Sequence, residues 1–100
     1  FPMGPCIVTV EEIEYPPRLG IRSYVNGELR QNSTTELLIF DIDHVISELS
    51  QGMTLEAGTI IAMGTPAGAG MGFEPPRFLK IGDEVCCEID GIGKIVNPII

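Results

Sequence analysis

The sequence has few positive charges and lacks a long apolar run. Six lysines and arginines face fourteen aspartates and glutamates, which gives a net charge of −8. Nucleic-acid binding needs clustered cations, so this balance argues against it. No run approaches the roughly 20 apolar residues that cross a bilayer, and the opening residues do not form a signal peptide. We therefore expect a cytoplasmic protein with neither nucleic-acid nor membrane partners.

Histidine and cysteine are also scarce. The three cysteines are Cys6, Cys86 and Cys87. Adjacent cysteines on a strand point to opposite faces and cannot grip one metal ion together, so reduced thiols are expected. The single histidine, His44, falls on the polar side of a predicted helix. A serine or cysteine nucleophile would therefore have no histidine nearby to act as its base. Because no catalytic set is complete and Phe1 is not an initiator residue, we expect further polypeptide upstream.

What the chain does contain is a pattern of short β segments around one amphipathic helix. An apolar fraction of 44% predicts a single globular domain. The fold class that follows is β-rich α+β, a sandwich or roll with one main helix. The first half of the chain is predicted to hold a strand at Ile7–Val10, a hairpin at Leu19–Gln31 with an Asn26-Gly27 turn and a return strand at Glu28–Gln31, and a loop at Asn32–Thr35. A helix at Asp41–Gln51 follows, with a left-handed stop at Gly52. The second half is predicted to hold a strand buried on both faces at Thr59–Met63, a half-exposed strand at Glu84–Asp90 whose apolar side carries Val85, Cys87 and Ile89, and a last strand at Lys94–Ile100.

A glycine-rich segment directly follows the predicted buried strand. Gly64–Gly72 holds four glycines in nine residues, so its amide N–H groups can converge on an anion, and Thr65 adds a hydroxyl donor. It is not a phosphate loop, because no Gly-Lys-Ser/Thr follows and Pro75 and Pro76 prevent an immediate helix. From these residues alone, a tight structural turn and a ligand site both stay open.

Glu12 and Glu14 have a spacing that can be mistaken for a pair of metal ligands. Two carboxylates at positions i and i+2 of a strand share one face and can bind a hard divalent cation. The segment runs into Pro16 and Pro17, however, and no third carboxylate pairs with it. A solvated loop edge is therefore the favoured interpretation.

Taken in order along the chain, several motifs together resemble the fumarylacetoacetate hydrolase family. The resemblance implies a mixed β-sandwich roll, usually dimeric, of which residues 1–100 are the carboxy-terminal part of the catalytic domain. The motifs are Gly4-Pro5-Cys6-Ile7-Val8-Thr9, Val25-Asn26-Gly27-Glu28 with Arg30-Gln31, Ile39-Phe40, Gly64-Thr65-Pro66-Ala67-Gly68-Ala69-Gly70, Phe78-Leu79-Lys80-Ile81-Gly82-Asp83, and Glu88-Ile89-Asp90-Gly91-Ile92-Gly93 with Asn97.

The resemblance also implies the chemistry and the site. It implies a hydrolase, isomerase or decarboxylase of aromatic-compound catabolism, acting on 2-oxo or 2-hydroxy-dienoic acids such as acylpyruvates or 2-hydroxyhepta-2,4-diene-1,7-dioate. A divalent cation, commonly Mg²⁺, is expected on a Glu-x-Glu pair and an Asp upstream of this chain, so the resemblance implies neither a metal ligand nor a known catalytic residue within residues 1–100. Gly64, Thr65 and Gln31 are the expected substrate-binding residues. The alternative is a non-catalytic β-rich binding module or a decayed homologue.

Overall fold

The computed structural model describes residues 2–100; Phe1 lies outside it. These residues form one antiparallel sheet and one α-helix, with two short 3-10 turns. The sheet order is β2-β1-β3-β4, so β1 and β3 are central. The predicted β-rich α+β class with one main helix is confirmed. The elements are β1 at Gly20–Val25, β2 at Glu28–Thr34, α1 at Ile42–Gly52, β3 at Glu84–Ile89 and β4 at Gly93–Pro98.

The hairpin of β1 and β2 closes at the predicted two-residue turn. Asn26 and Gly27 have φ angles of 51° and 80°, as a turn of this kind requires at both positions. The Asn26 side chain also joins the turn to the start of β3, because its Nδ2 donates to Asp83 Oδ1 and its Oδ1 accepts from the Glu84 amide, both at 2.9 Å. The turn is thus stabilised by the backbone preference of Asn26 and Gly27 and by hydrogen bonds to the start of β3.

The return strand is longer than the sequence indicates. β2 continues to Thr34, which lies opposite Gly20, so the loop predicted at Asn32–Thr35 is wrong except at its last residue. β1 offers hydrogen-bonding partners along its whole length, and polar side chains are compatible with a strand at the edge of a sheet.

Two predicted strands are absent from the part of the chain that the structure describes. Residues 7–10 and 59–63 belong to no strand. Their apolar and β-branched side chains favour extended backbone, but a strand also needs a hydrogen-bonded partner, and neither segment pairs with a strand of the described sheet. Ile7 is 93% exposed and Ile60 is 62% exposed, so the predicted burial of Thr59–Met63 on both faces is wrong here.

Helix α1 starts where the sequence indicates. The Asp41 carboxylate caps it by accepting from the His44 amide at 2.8 Å, and the His44 side chain is exposed. The predicted left-handed stop at Gly52 is wrong. Gly52 is the last helical residue, and extended Met53 completes the final turn by donating its N–H to the Leu49 carbonyl at 3.1 Å.

Strand β3 is found where it is predicted, but its two sides differ from the expectation. Cys86 is half-buried and Cys87 is exposed, whereas the pattern places Cys87 on the buried side. The Cys87 side faces an open cleft, described below, and so remains uncovered. All three cysteines are free. β4 ends at Pro98 rather than Ile100, although Ile99 still donates its N–H to the Asp83 carbonyl and accepts from the Gly82 amide, both at 2.8 Å.

Candidate ligand-binding site at the glycine loop

A β-bulge in β2 brings two neighbouring side chains to one face of the sheet. A regular ladder leaving the Asn26-Gly27 turn would pair Ser23 with Arg30, but the register shifts and Ser23 lies opposite Gln31. Successive side chains of a regular strand point to opposite faces. Because the bulge inserts one residue, Arg30 and Gln31 both line the same cleft.

The glycine loop, residues Gly64–Gly72, packs against the bulge by close backbone contact. A Cβ at Gly68 would lie 2.0 Å from the Arg30 carbonyl oxygen, and a Cβ at Gly70 would lie 2.3 Å from the Arg77 carbonyl oxygen. Gly68 also has a φ of 108°, which side chains rarely adopt. Two glycines of the loop are therefore required by packing, so the structural role that the sequence left open is real.

Hydrogen bonds from Gln31 fix the start of the loop. Gln31 Nε2 donates to Thr65 Oγ1 at 2.7 Å and to the Pro66 carbonyl at 2.9 Å, and Ser23 Oγ donates to Gln31 Oε1 at 2.7 Å. Two of the three sequence-predicted site residues, Gln31 and Thr65, are thus in direct contact. Sequence reasoning missed Ser23 and the Pro66 carbonyl.

The third predicted residue, Gly64, presents open backbone next to Thr65. Its φ is 101°, and nothing lies within 4 Å of the position that a Cβ would take. Among the hydrogen bonds of residues 2–100, none is donated by a backbone N–H of residues 64–69 or by the Thr65 hydroxyl. Gly64 and Thr65 are both exposed. This end of the loop therefore carries several unused donors.

An open cleft of about 510 Å³ lies beside these residues. Gln31 and the second half of the loop form part of its wall, whereas Thr65 lies outside the lining. A second cleft of about 260 Å³ contains none of the candidate residues. The lining of the larger cleft consists of Ser23, Val25, Arg30, Gln31, Gly68, Ala69, Gly70, Met71, Arg77, Phe78, Leu79, Val85 and Cys87.

Two guanidinium groups supply positive charge next to the loop. Arg30 and Arg77 lie over the Phe73 ring, 5.5 and 5.3 Å from its centroid. Glu28 accepts from both terminal nitrogens of Arg77 at 2.7 and 2.8 Å, and this pairing lowers the pKa of Glu28 and raises that of Arg77. Arg30 Nε is 3.5 Å from Glu28 Oε1, within ion-pair distance but without a hydrogen bond. The two guanidinium groups and the single carboxylate of Glu28 leave a local excess of positive charge. This excess favours the binding of an anion, despite the net charge of −8.

The described residues do not fit a metal ion. Nowhere in residues 2–100 do three histidine, cysteine, aspartate or glutamate side chains come together in a way that could hold one. Glu12 and Glu14 are both exposed and lie in an irregular segment that begins with a turn at Thr9. The site that the chain does form is a set of hydrogen-bond donors with nearby guanidinium groups.

The chain is similar to known sequences and solved structures. The family model described as "Fumarylacetoacetate (FAA) hydrolase C-terminal" matches residues 1–100. Oxaloacetate tautomerase YisK of Bacillus subtilis is 52% identical over 98 residues, which are 98% of this chain and 33% of that protein. The chain spans about a third of the length of the relatives it matches. Within residues 2–100, no helix is long and apolar enough to span a membrane.

Two solved structures show the same fold. A fumarylacetoacetate hydrolase from Exiguobacterium antarcticum is 46% identical with a TM-score of 0.93, and the match covers 98% of this chain and 35% of that one. Maleylpyruvate hydrolase from Sphingobium sp. SYK-6, in complex with manganese(II) and pyruvate, is 36% identical with a TM-score of 0.85, and the match covers 97% of this chain and 34% of that one. The family fold that the sequence resemblance implies is confirmed.

Proposed function

Because this chain belongs to the fumarylacetoacetate hydrolase family, we propose that it forms the carboxy-terminal part of a hydrolase or isomerase of 2-oxo or 2-hydroxy-dienoic acids. The names of its relatives support this substrate class, since oxaloacetate and maleylpyruvate both carry a carboxylate next to a carbonyl group. Acylpyruvates and 2-hydroxyhepta-2,4-diene-1,7-dioate, or its 2-oxo tautomer, share that unit. They are the further substrates that we propose for the whole protein.

The observation that carries this proposal is the unused donor set at the start of the glycine loop. Thr65 accepts a hydrogen bond from Gln31, which leaves its own hydroxyl hydrogen free, and exposed backbone lies beside it at Gly64. A carboxylate takes hydrogen bonds from such groups readily, because charge-assisted bonds are roughly twice as strong as neutral ones.

In this proposal the chain binds and orients the substrate. Thr65 and the neighbouring amides hold the carboxylate, and a fixed carboxylate aligns the adjacent carbonyl and the bond to be broken or shifted. Arg30 and Arg77 raise the local concentration of an anion that the protein's overall charge would repel.

The cation, the assembly and the cellular location are further proposals for the whole protein. The manganese complex of maleylpyruvate hydrolase supports a divalent cation in the family. Since the described residues do not fit a metal ion, we propose that Mg²⁺ or another divalent cation is held by polypeptide beyond them. A homodimer remains our expectation from the resemblance, and a cytoplasmic location remains our expectation from the composition.

The test is an assay of the full-length protein with Mg²⁺ against oxaloacetate, acylpyruvates and 2-hydroxyhepta-2,4-diene-1,7-dioate. Product analysis by NMR distinguishes hydrolysis, double-bond migration and decarboxylation. We expect turnover of at least one of these acids and, in parallel calorimetry, binding of pyruvate. Pyruvate binding without turnover would favour the non-catalytic module, and the absence of both would refute the proposal.

A further inference from the structure

We infer that Gln31 is a positioning residue: held by Ser23 and the Pro66 carbonyl, it forces the Thr65 hydroxyl to donate outward to the ligand. The inference rests on the proposed function, because it assigns a role within the same site. It also gives Gln31 a different role from the direct substrate contact that the family resemblance implies. The side chain acts through Thr65 instead of touching the ligand.

The first step is the orientation of the Gln31 amide. A backbone carbonyl can only accept a hydrogen bond. The Pro66 carbonyl lies 2.9 Å from one end of the Gln31 amide, so that end is the NH₂ group, and the amide oxygen faces the other way. The orientation is therefore set by chemistry.

The second step concerns Ser23. The amide oxygen of Gln31 lies 2.7 Å from Ser23 Oγ, and an amide oxygen can only accept. Ser23 is therefore the donor of this bond. It lies on central strand β1, directly opposite Gln31 in the ladder, so the sheet fixes its position.

The third step concerns Thr65. With one Gln31 N–H on the Pro66 carbonyl, the other points to Thr65 Oγ1 at 2.7 Å, so the hydroxyl is an acceptor in this bond. Its own hydrogen must then point elsewhere, and no acceptor among residues 2–100 takes it. Because both donors of Gln31 are used inside the protein, the group left to meet the ligand is the Thr65 hydroxyl.

The main test is a double-mutant cycle in the full-length protein with Mg²⁺, using pyruvate as the probe in calorimetry. Gln31→Met keeps the length of the side chain and removes its donors, so Thr65 loses its fixed orientation. We expect the Kd for pyruvate to rise about 3- to 10-fold, as for one neutral hydrogen bond. In a Thr65→Val background the same substitution should change Kd by less than about 2-fold, because its effect passes through the hydroxyl.

A second variant gives a pH signature of the donor at position 31, and the Thr65→Val background separates it from a structural effect on the loop. In Gln31→Glu the ionised carboxylate only accepts, so Thr65 turns inward to donate to it and pyruvate binding weakens. Acidification protonates position 31, restores a donor and should restore part of the affinity. Asn32→Asp is the matched control, since it adds the same charge at an exposed neighbouring position of β2.

The outcomes separate this inference from the proposed function. Wild-type protein that fails to bind pyruvate would overturn both. Wild-type binding with an unchanged Kd in Gln31→Met, or an equal loss with and without the Thr65 hydroxyl, would overturn the positioning role alone. Circular dichroism checks that each variant folds. If Gln31→Met does not fold, Ser23→Ala replaces it in the cycle, and a loss that persists in the Thr65→Val background would again overturn the role.

Discussion

Glu28 and Arg77 form a bidentate ion pair beside the cleft, and acid should break it by protonating the carboxylate. The two hydrogen bonds from Arg77 hold the pKa of Glu28 below its ordinary value of 4.5. A carboxylate with a lowered pKa in the folded state stabilises that state above its unfolded pKa, and the contribution disappears as the pH falls through the folded pKa. Glu28→Gln should therefore lower the melting temperature at pH 7, and the difference from wild type should shrink as the pH falls below 4.5.

The measurement compares the melting temperatures of wild type and Glu28→Gln in the full-length protein from pH 7 down to about 3. Glu56→Gln is the control, because Glu56 is exposed and takes part in none of the ion pairs of residues 2–100. A difference between wild type and Glu28→Gln that stays constant over this range would show that the ion pair does not contribute.

Thr65 should matter for the reaction more than for stability, because its side chain is exposed. Thr65→Val keeps the shape and removes the hydroxyl. We expect kcat/KM on the true substrate to fall about 10- to 100-fold, the value of one hydrogen bond to a charged group. Thr65→Ser keeps the hydroxyl and should retain most of the activity. Equal kinetics for the wild type and the valine variant would remove Thr65 from the site.

The sequence led to some residues of the site and not to others. Gln31 and Thr65 were expected from the family resemblance, and the structure adds that they contact each other. Ser23 was missed for a physical reason. Regular pairing from the Asn26-Gly27 turn places it opposite Arg30, and only the bulge moves Gln31 into that position. A bulge depends on tertiary packing and leaves no clear local signal in this strand.

At the scale of elements, the glycine loop should tolerate a methyl group at some glycines and not at others. At Gly68 a Cβ would strike the Arg30 carbonyl at 2.0 Å, and φ is 108°. The backbone strain alone costs on the order of 1–3 kcal/mol. Gly72 lies in the same loop, has no positive φ and has open space around its Cβ position.

We therefore expect Gly68→Ala to lower both the melting temperature and the affinity for pyruvate, because the loop must lift from the bulge. Gly72→Ala should leave both nearly unchanged. Thermal melts and calorimetry on the two full-length variants measure this difference. If both variants match the wild type, the loop does not depend on its contact with β2.

The elements that the sequence predicts well are those with local causes. The Asn26-Gly27 turn and the Asp41-capped helix depend on residues within a few positions of each other. The strands predicted at Ile7–Val10 and Thr59–Met63 depend on a partner strand, which no local pattern specifies. Residues 2–100 provide no partner for either segment.

At the scale of the whole molecule, the described chain has too much surface for its size. Its accessible area is 7814 Å², whereas a folded monomer of 10.8 kDa exposes about 5,500 Å². Its radius of gyration is 15.2 Å, against about 13 Å for a compact domain of 100 residues. None of the described side chains is fully buried. The apolar side chains exposed by more than four-fifths are Ile7, Ile39, Ile81 and Ile100.

This surface leads to a prediction about residues 1–100 expressed alone. The excess of roughly 2,300 Å² is in the range that permanent interfaces bury, and a chain without a closed core does not offset the conformational entropy lost on folding. We expect the isolated chain to bind a hydrophobic dye and to melt without a sharp transition, whereas the full-length protein melts cooperatively. Calorimetry and near-ultraviolet circular dichroism on both proteins decide the matter. A cooperative transition in the isolated chain would mean that the sheet and α1 are sufficient as a fold, and that the exposed isoleucines need no covering layer.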